Sequence, residues 1–254
     1  MRKQLLLGAS FIVAVPALGM VQASSAADLP VKAPVYKAPV VAPLYNWTGP
    51  YIGISGGYGW GHSNQTDPGI STTGTTGTTG TTGPTGPADG SYLVSGGILG
   101  GTLGYNWQQG PWVFGVEGDY SWADINGSSN VCGPTPPSIP HPCGTKLESL
   151  GTLRGRIGYA MGATGNWLPY VTGGLAVGEL NAWDSLSPAS GSDFRAGWTV
   201  GGGVETGITQ NWTFKVEYLY VDLGSHQMFN IVPGVPETVS FTANIFRAGV
   251  NYRF

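Results

Sequence analysis

Hydrophobic and polar residues alternate one by one along most of the chain after residue 47. In residues 112–122, large apolar side chains occupy the even positions, and small or charged side chains occupy the odd ones. Successive side chains of a β-strand point to opposite faces, so this period of two predicts a strand. The same alternation recurs in 151–161, 212–220 and 246–254, and in the glycine-rich segments 49–61, 93–107, 167–181 and 194–208. The pattern therefore predicts about eight strands.

The connections between these segments alternate in length. The short ones are 108–111, 162–166 and 209–211, and the long ones are 63–92, 125–147, 183–193 and 225–238. Short turns on one side and long loops on the other are typical of bacterial outer-membrane barrels, whose turns are periplasmic and whose loops are extracellular. The sequence thus predicts an all-β fold over residues 48–254: an eight-stranded antiparallel up-and-down transmembrane β-barrel.

Charge is sparse and is sorted onto one face of the predicted strands. Charged residues make up 10% of the chain, against about 25% in typical soluble domains. Such a face is too poor in charge to be a water-facing exterior, and it suits the narrow interior of a small barrel. The predicted cluster in the lumen comprises Glu117, Asp119, Arg154, Arg156, Glu205, Lys215, Glu217 and Arg247. We expect these side chains to form a salt-bridged plug, with a small pore as the alternative.

Aromatic residues gather at the ends of the apolar face. Amphipathic rings favour both membrane interfaces, so this arrangement predicts two aromatic belts in contact with outer-membrane lipid. The predicted belt residues are Trp60, Trp112, Tyr120, Trp122, Trp167, Trp212 and Tyr220.

The N-terminal region differs from the rest of the chain. Residues 1–27 have the form of a secretory signal peptide, with Arg2 and Lys3 before an apolar core and small residues at the predicted cleavage site. The core is shorter than the roughly 20 residues of a spanning helix. Residues 28–47 are proline-rich and predict an extended periplasmic segment. This segment acts either as a spacer or as a contact with the cell wall, and composition favours the spacer.

Two cysteines, Cys132 and Cys143, remain after removal of the signal peptide. Export to an oxidising compartment makes a disulfide between them the expected state. Their spacing does not match a redox or metal-binding motif, and we expect no cofactor. Without Arg2 and Lys3 the chain has 11 − 2 = 9 basic and 14 acidic residues, a net charge of −5. With no basic patch, nucleic acid is not an expected partner.

The stretch AADLPVKAPVYKAPVVAPLYNWTGPYIGISGGYGWG and the ending RAGVNYRF resemble the small alphaproteobacterial outer-membrane proteins of the opacity-porin type, whose barrel is like that of the OmpA/OmpX group. The resemblance implies an outer-membrane location and a C-terminal signal read by the barrel-assembly machinery. Val250, Tyr252 and Phe254 match the recognised positions of that signal. The tract STTGTTGTTGTTGPTGP in the first long loop departs from the family.

The expected function is structural: a barrel that supports envelope integrity and displays variable extracellular loops. An adhesin or receptor that acts through those loops is the second possibility, with a host surface as its partner, and a small porin is the third. An enzyme is not expected, because the chain has no GxSxG or HExxH motif. Its histidines, His62, His141 and His226, fall in or beside the predicted loops.

Overall fold

The protein is described from a computed structural model. The described residues are 45–67, 88–132, 141–185, 191–232 and 235–254. The predicted signal peptide, residues 28–44 of the predicted extension and the threonine- and glycine-rich tract lie outside them. Among the described residues, no helix is long and apolar enough to cross a membrane.

Eight antiparallel strands form a closed barrel in which each strand pairs with its neighbours in sequence and β1 pairs with β8. The strands are β1 (Gly49–Asp67), β2 (Ala88–Gln109), β3 (Trp112–Cys132), β4 (His141–Tyr159), β5 (Trp167–Asp184), β6 (Gly191–Gly207), β7 (Trp212–Val232) and β8 (Val235–Arg253). The predicted fold class is therefore confirmed. Closure removes the strand edges that could not persist in lipid, because unpaired backbone groups there cost several kcal/mol each.

The half of the barrel next to the short turns has an apolar exterior and a polar interior. On β3, Val116 and Tyr120 point outward and are about half exposed, whereas Glu117 and Asp119 point inward and are buried. The other strands follow the same alternation over about 9–11 residues, which is the length that a tilted strand needs to span a membrane. This half is the membrane-spanning part.

The short turns are built by glycine where the backbone requires it. Gly110 follows β2 with a φ of 59°, a left-handed conformation that side chains with a Cβ adopt rarely. Its location matches the predicted turn 108–111, and the other two short connections also lie where the sequence places them. These turns mark the periplasmic end of the barrel.

The strands are longer than the sequence predicts, with 17 to 22 residues each. They continue into the segments 63–92, 125–147, 183–193 and 225–238 that the pattern assigns to loops. One reason is a bulge in β4 between Leu147 and Ser149. It moves the inward positions from even numbers, such as Leu150, to odd numbers, such as Leu147. Because the bulge interrupts the period of two, the alternation in the sequence does not identify the outer part of β4 as a strand.

In these outer parts the polarity of the two faces is reversed. On β3, Ala123 and Ile125 point inward and are buried, whereas Asp124 and Asn126 point outward and are exposed. Apolar residues inside and polar residues outside describe a barrel in water. The outer half therefore extends beyond the membrane on the extracellular side.

Candidate functional site: the filled interior of the barrel

The eight residues predicted to form the lumen cluster are all buried and point into the barrel. Glu117 and Asp119 lie on β3, Arg154 and Arg156 on β4, Glu205 on β6, Lys215 and Glu217 on β7, and Arg247 on β8. Four carboxylates thus meet four cationic side chains, and the set carries no net charge. Pairing is what makes burial of such groups tolerable, because an isolated buried charge is very unfavourable.

Arg154 lies at the centre of this network. Its Nη1 donates to Glu217 Oε2 at 2.9 Å, and its Nη2 donates to Asp119 Oδ2 at 2.8 Å and also to Glu117. One guanidinium therefore joins carboxylates from two strands, β3 and β7, across the lumen. Its planar fork of donors suits this role better than an ammonium group would.

Arg247 and Lys215 supply further cations for the carboxylates of β3 and β7. Arg247 binds Asp119 through Nη1 at 3.0 Å and Glu217 through Nη2 at 2.8 Å. Lys215 Nζ donates to both oxygens of Glu117, at 3.0 and 2.9 Å. Every carboxylate of β3 and β7 consequently contacts at least two cations.

Arg156 and Glu205 form a second pair nearer the turns. Arg156 Nη2 donates to Glu205 Oε2 at 2.6 Å, and the guanidinium stacks 4.5 Å from the ring centre of Tyr170. The other carboxylate oxygen of Glu205, Oε1, accepts hydrogen bonds from Thr213 Oγ1 at 2.6 Å and from Asn251 Nδ2 at 2.9 Å. Neutral side chains therefore complete the coordination of the charges.

Sequence reasoning missed these neutral partners. Tyr51 donates its hydroxyl to Glu117 and Tyr170 donates to Glu217, both at 2.7 Å, and Thr152 donates to Asp119 at 2.6 Å. Each lies at an inward position of its strand, so parity with the charged residues was the available signal. Charge alone did not reveal them.

Above the network, toward the extracellular end, apolar side chains fill the lumen. The buried cluster consists of Tyr92, Val94, Ile98, Ala123, Ile125, Cys143, Leu147, Leu150, Ala176, Leu180, Leu219, Val221, Leu223, Phe241, Ala243 and Ile245. Ser63, Gln65 and Thr145 are also buried in the outer part of the barrel and hydrogen-bond to one another. The outer half of the barrel is thus filled by a mainly hydrophobic core.

Trp47 fills the periplasmic end. It is fully buried and packs with Val113 and Leu168. Its backbone N–H donates to Gln108 Oε1 at 2.7 Å, and its Nε1 donates to the Gly165 carbonyl at 2.8 Å. The end of the segment that the sequence assigns to an extension therefore lies inside the barrel base and binds two of the turns.

Arg253 holds the same segment from the last strand. Its Nη2 donates to the carbonyl oxygens of Asn46 and Thr48. Its guanidinium lies 5.0 Å from the ring centre of Tyr45 and 5.5 Å from that of Trp47. Burial raises the pKa of Tyr45, while Arg253 opposes that rise.

The predicted belt residues all point outward. At the turn end, Trp112 stacks edge-on with Tyr159 at 5.2 Å, and Trp212 stacks with Tyr252 at 5.1 Å. Trp167 also lies at the turn end. The belt at the outer end contains Trp60, Tyr120, Trp122 and Tyr220. Trp198, which was not among the predicted residues, belongs to this outer belt as well. Tyr252 and Phe254 of the predicted assembly signal stack at 5.2 Å, and Val250 lies opposite Phe214.

The cysteines lie on neighbouring strands. The backbone of Cys132 on β3 is opposite His141, and Cys143 on β4 is opposite Ser129. Cys143 is buried, while the side chain of Cys132 lies outside the described part of the chain. The disulfide stays a prediction.

A groove of about 550 Å³ lies on the outer wall of the membrane-spanning half. Gly155 and Gly173, which are opposite each other on β4 and β5, form its floor, and Phe114, Val116 and Val200 are among its walls. It faces lipid and carries almost no polar surface. Arg156 of the interior network is also among its lining residues.

Comparison with known proteins agrees with this geometry. The family model described as an outer membrane protein beta-barrel domain matches residues 13–254. The chain is 34% identical to the 31 kDa outer-membrane immunogenic protein of Brucella melitensis, over 96% of this chain and 99% of that protein. It is 32% identical to the 25 kDa outer-membrane immunogenic protein of the same organism, over 90% of each.

Among solved structures, the outer membrane protein OprG from Pseudomonas aeruginosa matches with a TM-score of 0.50 and 16% identity, over 83% of this chain and 99% of that one. At this identity the similarity concerns the fold alone. The family match and the curated relatives decide the assignment: the chain belongs to the outer membrane protein beta-barrel family, and its location is the outer membrane.

Proposed function

We propose that this protein is a non-conducting structural barrel that stabilises the outer membrane and carries extracellular loops on a closed wall. The observation that supports it is the filling of the lumen at three levels. These are Trp47 at the base, the charge network around Arg154, and the apolar core beyond it. An eight-stranded barrel is narrow enough for side chains to fill it.

Passage of ions would require the network to open. Arg154 alone binds three carboxylates, and breaking a buried pair by removing one partner costs about 3–5 kcal/mol. Opening the network without a replacement for these bonds is therefore rare at equilibrium. We expect no conductance of the size that porins show.

The length of the strands supports a role in display. Strands of 17 to 22 residues exceed the span of about 9–11 residues by roughly eight to ten. At about 3.3 Å per residue and a tilt near 40°, the barrel rises roughly 20 Å above the membrane. The connections 68–87, 133–140, 186–190 and 233–234 join strands at this raised end.

The partners follow from this proposal. Outer-membrane lipid contacts the exposed apolar band, and the barrel-assembly machinery reads Val250, Tyr252 and Phe254. Residues 28–44 reach peptidoglycan, or serve as a spacer, on the periplasmic side. Two relatives are named outer-membrane immunogenic proteins, which favours contact between the loops and a host surface. None of these relatives is named as an enzyme, and we propose that this chain has no catalytic activity.

Conductance in planar bilayers tests the closed interior. Refolded protein, checked for heat-modifiable migration, should give no porin-like steps, while a general porin in the same bilayer does. The charge-neutral variant Arg154→Ala with Glu217→Ala should also give no porin-like steps, because Trp47 and the apolar outer core still fill the lumen at the other two levels. Porin-like steps from the unmodified protein would refute the proposal in favour of a small pore.

Complementation separates the structural role from adhesion. A deletion strain should become sensitive to detergent and recover with either the full chain or a variant that lacks residues 70–85. If that loop deletion restores the envelope but abolishes binding to host cells, the chain has an adhesin role as well. If deletion of the whole gene leaves the envelope unchanged, the structural role is wrong.

The C-terminal signal can be tested separately. Phe254→Ala should lower the fraction of heat-modifiable, outer-membrane protein several-fold, because Phe254 is exposed and contributes little to the folded barrel. Refolding of the same variant in detergent should stay normal. Equal assembly of both proteins in cells would contradict the assignment of the signal.

A further inference from the structure

The barrel wall has a seam between β6 and β7 at its extracellular end. Backbone pairing between these strands ends at Trp198 and Asp222. Both strands continue beyond this point, β6 from Gly191 and β7 to Val232. Over the described residues, these outer segments pair only with β5 and β8. Two strand edges therefore face each other there without forming a ladder.

Arg195 lies on β6 within this seam and points inward. It is 1% exposed, and its Nη1 donates to the carbonyl oxygen of Val239 on β8 at 2.6 Å. Its Nε and Nη2 are buried and have no hydrogen-bond partner among the described residues. A guanidinium has five N–H donors and stays charged in proteins. This buried cation is therefore largely unsatisfied.

Among the side chains that the structure describes, the surroundings of Arg195 offer no compensating charge. Its Cα is opposite Gly178, where an added Cβ would lie 2.8 Å from Leu223 Cδ1 and 2.9 Å from Leu147 Cδ1. The carboxylates of the lumen network bind other cations closer to the turns. In the described part of the chain, no carboxylate forms an ion pair with Arg195.

Three acidic residues lie near the seam without neutralising this guanidinium. Asp193, two residues away on β6, is exposed and acts on Arg195 only at a distance. Asp222 on β7 accepts a hydrogen bond from the backbone N–H of Gly224 at 2.8 Å. Glu179 lies on β5 at an outward position. A buried charge without a partner is strongly unfavourable, so this arrangement calls for an external anion.

The two free donors identify the kind of anion. Nε and Nη2 form one edge of the guanidinium plane, where their N–H bonds run parallel. This edge matches two oxygens of a carboxylate or a phosphate, which bind in a bidentate manner. We propose that Arg195 binds an oxyanion, a phosphate or a carboxylate, that enters through the β6–β7 seam at the outer face of the barrel.

The position of Arg195 suggests two sources for this oxyanion. Trp198, three residues along β6 and 49% exposed, belongs to the outer aromatic belt. Arg195 therefore lies just beyond the hydrocarbon layer, at the level of lipid headgroups. The group that binds is either a phosphate of an outer-leaflet lipid or a soluble oxyanion. This proposal does not depend on a closed lumen. A negative result in the conductance test therefore leaves the oxyanion site untouched, and a negative result in the NMR test leaves the closed lumen untouched.

NMR of the arginine Nε–H signals tests the site in protein refolded in dodecyl maltoside, a detergent without phosphate. The signal lost in Arg195→Lys identifies Arg195. If the ligand is a soluble oxyanion, sodium phosphate and sodium acetate should shift it in a saturable manner, while sodium chloride of equal ionic strength should not. A shift that follows ionic strength alone would overturn the proposal.

A second arm distinguishes the two sources. Micelles doped with phosphatidic acid present the same phosphate on a lipid. Saturation by the doped micelles alone identifies a headgroup, and saturation by inorganic phosphate identifies a soluble ligand; either result supports the site. No saturable shift in either arm would contradict it.

Two variants provide the matched controls. Phosphate should raise the urea midpoint of the unmodified protein but not that of Arg195→Gln, and equal stabilisation of both would contradict the proposal. In Asp193→Asn, phosphate should bind several-fold more tightly, because a nearby carboxylate is removed. If Arg195→Gln fails to fold, phosphate titrations of the unmodified protein and of Asp193→Asn still test the oxyanion site.

Discussion

The role of the charge network can be tested at Arg154. The variant Arg154→Met keeps much of the side-chain volume and removes the charge that joins Glu117, Asp119 and Glu217. All four side chains are at most 2% exposed. Removing one partner of a buried pair destabilises proteins by about 3–5 kcal/mol. Arg247 and Lys215 still contact the three carboxylates, so we expect the lower end, about 3 kcal/mol.

Urea unfolding of protein refolded in lipid vesicles, followed by tryptophan fluorescence, measures this change. A loss of about 3 kcal/mol lowers the ratio of folded to unfolded protein roughly 100-fold, since 1.4 kcal/mol corresponds to a factor of ten. The matched control is Lys146→Met. Lys146 pairs with Asp124 at 3.3 Å, but its side chain is 44% exposed, and exposed pairs contribute about 0–1 kcal/mol.

A double variant checks the electrostatic cause. Arg154→Met leaves four carboxylates facing three cations. Adding Glu217→Gln removes this excess of one negative charge, so part of the lost stability should return. If Arg154→Met costs no more than Lys146→Met, the lumen is hydrated and the argument for a dry, closed network is wrong. If the double variant is less stable by the sum of the two single losses, the two residues do not interact in the way the distances imply.

Three further changes test other parts of the barrel. Trp47→Ala should destabilise the protein by about 3–5 kcal/mol in the same urea assay, because it empties a fully buried aromatic site; a loss below about 1 kcal/mol would place the segment outside the base. Gly174→Ala should prevent stable folding, because its Cβ would lie 2.1 Å from the carbonyl oxygen of Leu153, whereas Gly155→Ala, with open space around it, should refold normally in a heat-modifiability gel. Cys143→Ser should abolish a mobility difference between reduced and non-reduced unfolded protein, and the absence of that difference in the parent protein would show that no disulfide forms.

The membrane-spanning half could be predicted from the sequence because two physical constraints act on every residue there. Lipid excludes charge from outward positions, and a narrow lumen admits only a few long side chains among small ones. On β3 these constraints produce an unbroken alternation from Trp112 to Trp122. The cluster of charges follows from the same parity, which is why Glu117 and Arg154 could be placed in the lumen before their partners were known.

The outer part of β4, the burial of Trp47 and the environment of Arg195 could not be predicted, because each departs locally from the alternating pattern. The bulge at Leu147 changes the parity of β4, so the outer strand reads as a loop. Trp47 follows a proline-rich stretch, and its burial depends on contacts with Gln108 and Gly165, which are distant in sequence. Arg195 shares the inward parity of the network residues, yet it lies ten positions from Glu205 along β6, beyond the end of the β6–β7 ladder. Strand pairing and contacts between distant residues are set by the three-dimensional fold, so they produce no periodic pattern in the sequence.

The reversal of polarity along a single strand explains why the lumen is filled at two levels by different chemistry. Within the membrane, β3 must present Val116 and Tyr120 to lipid, so the inward positions can hold Glu117 and Asp119, whose charges are neutralised by partners on other strands. Beyond the membrane the exterior meets water, and the hydrophobic effect then favours apolar residues inside, as at Ile125. An open pore would require polar inward positions along its whole length, and the outer core contradicts that. On β3, the level at which the inward residues change from charged to apolar therefore marks the outer boundary of the membrane and also the point at which the apolar filling of the lumen begins.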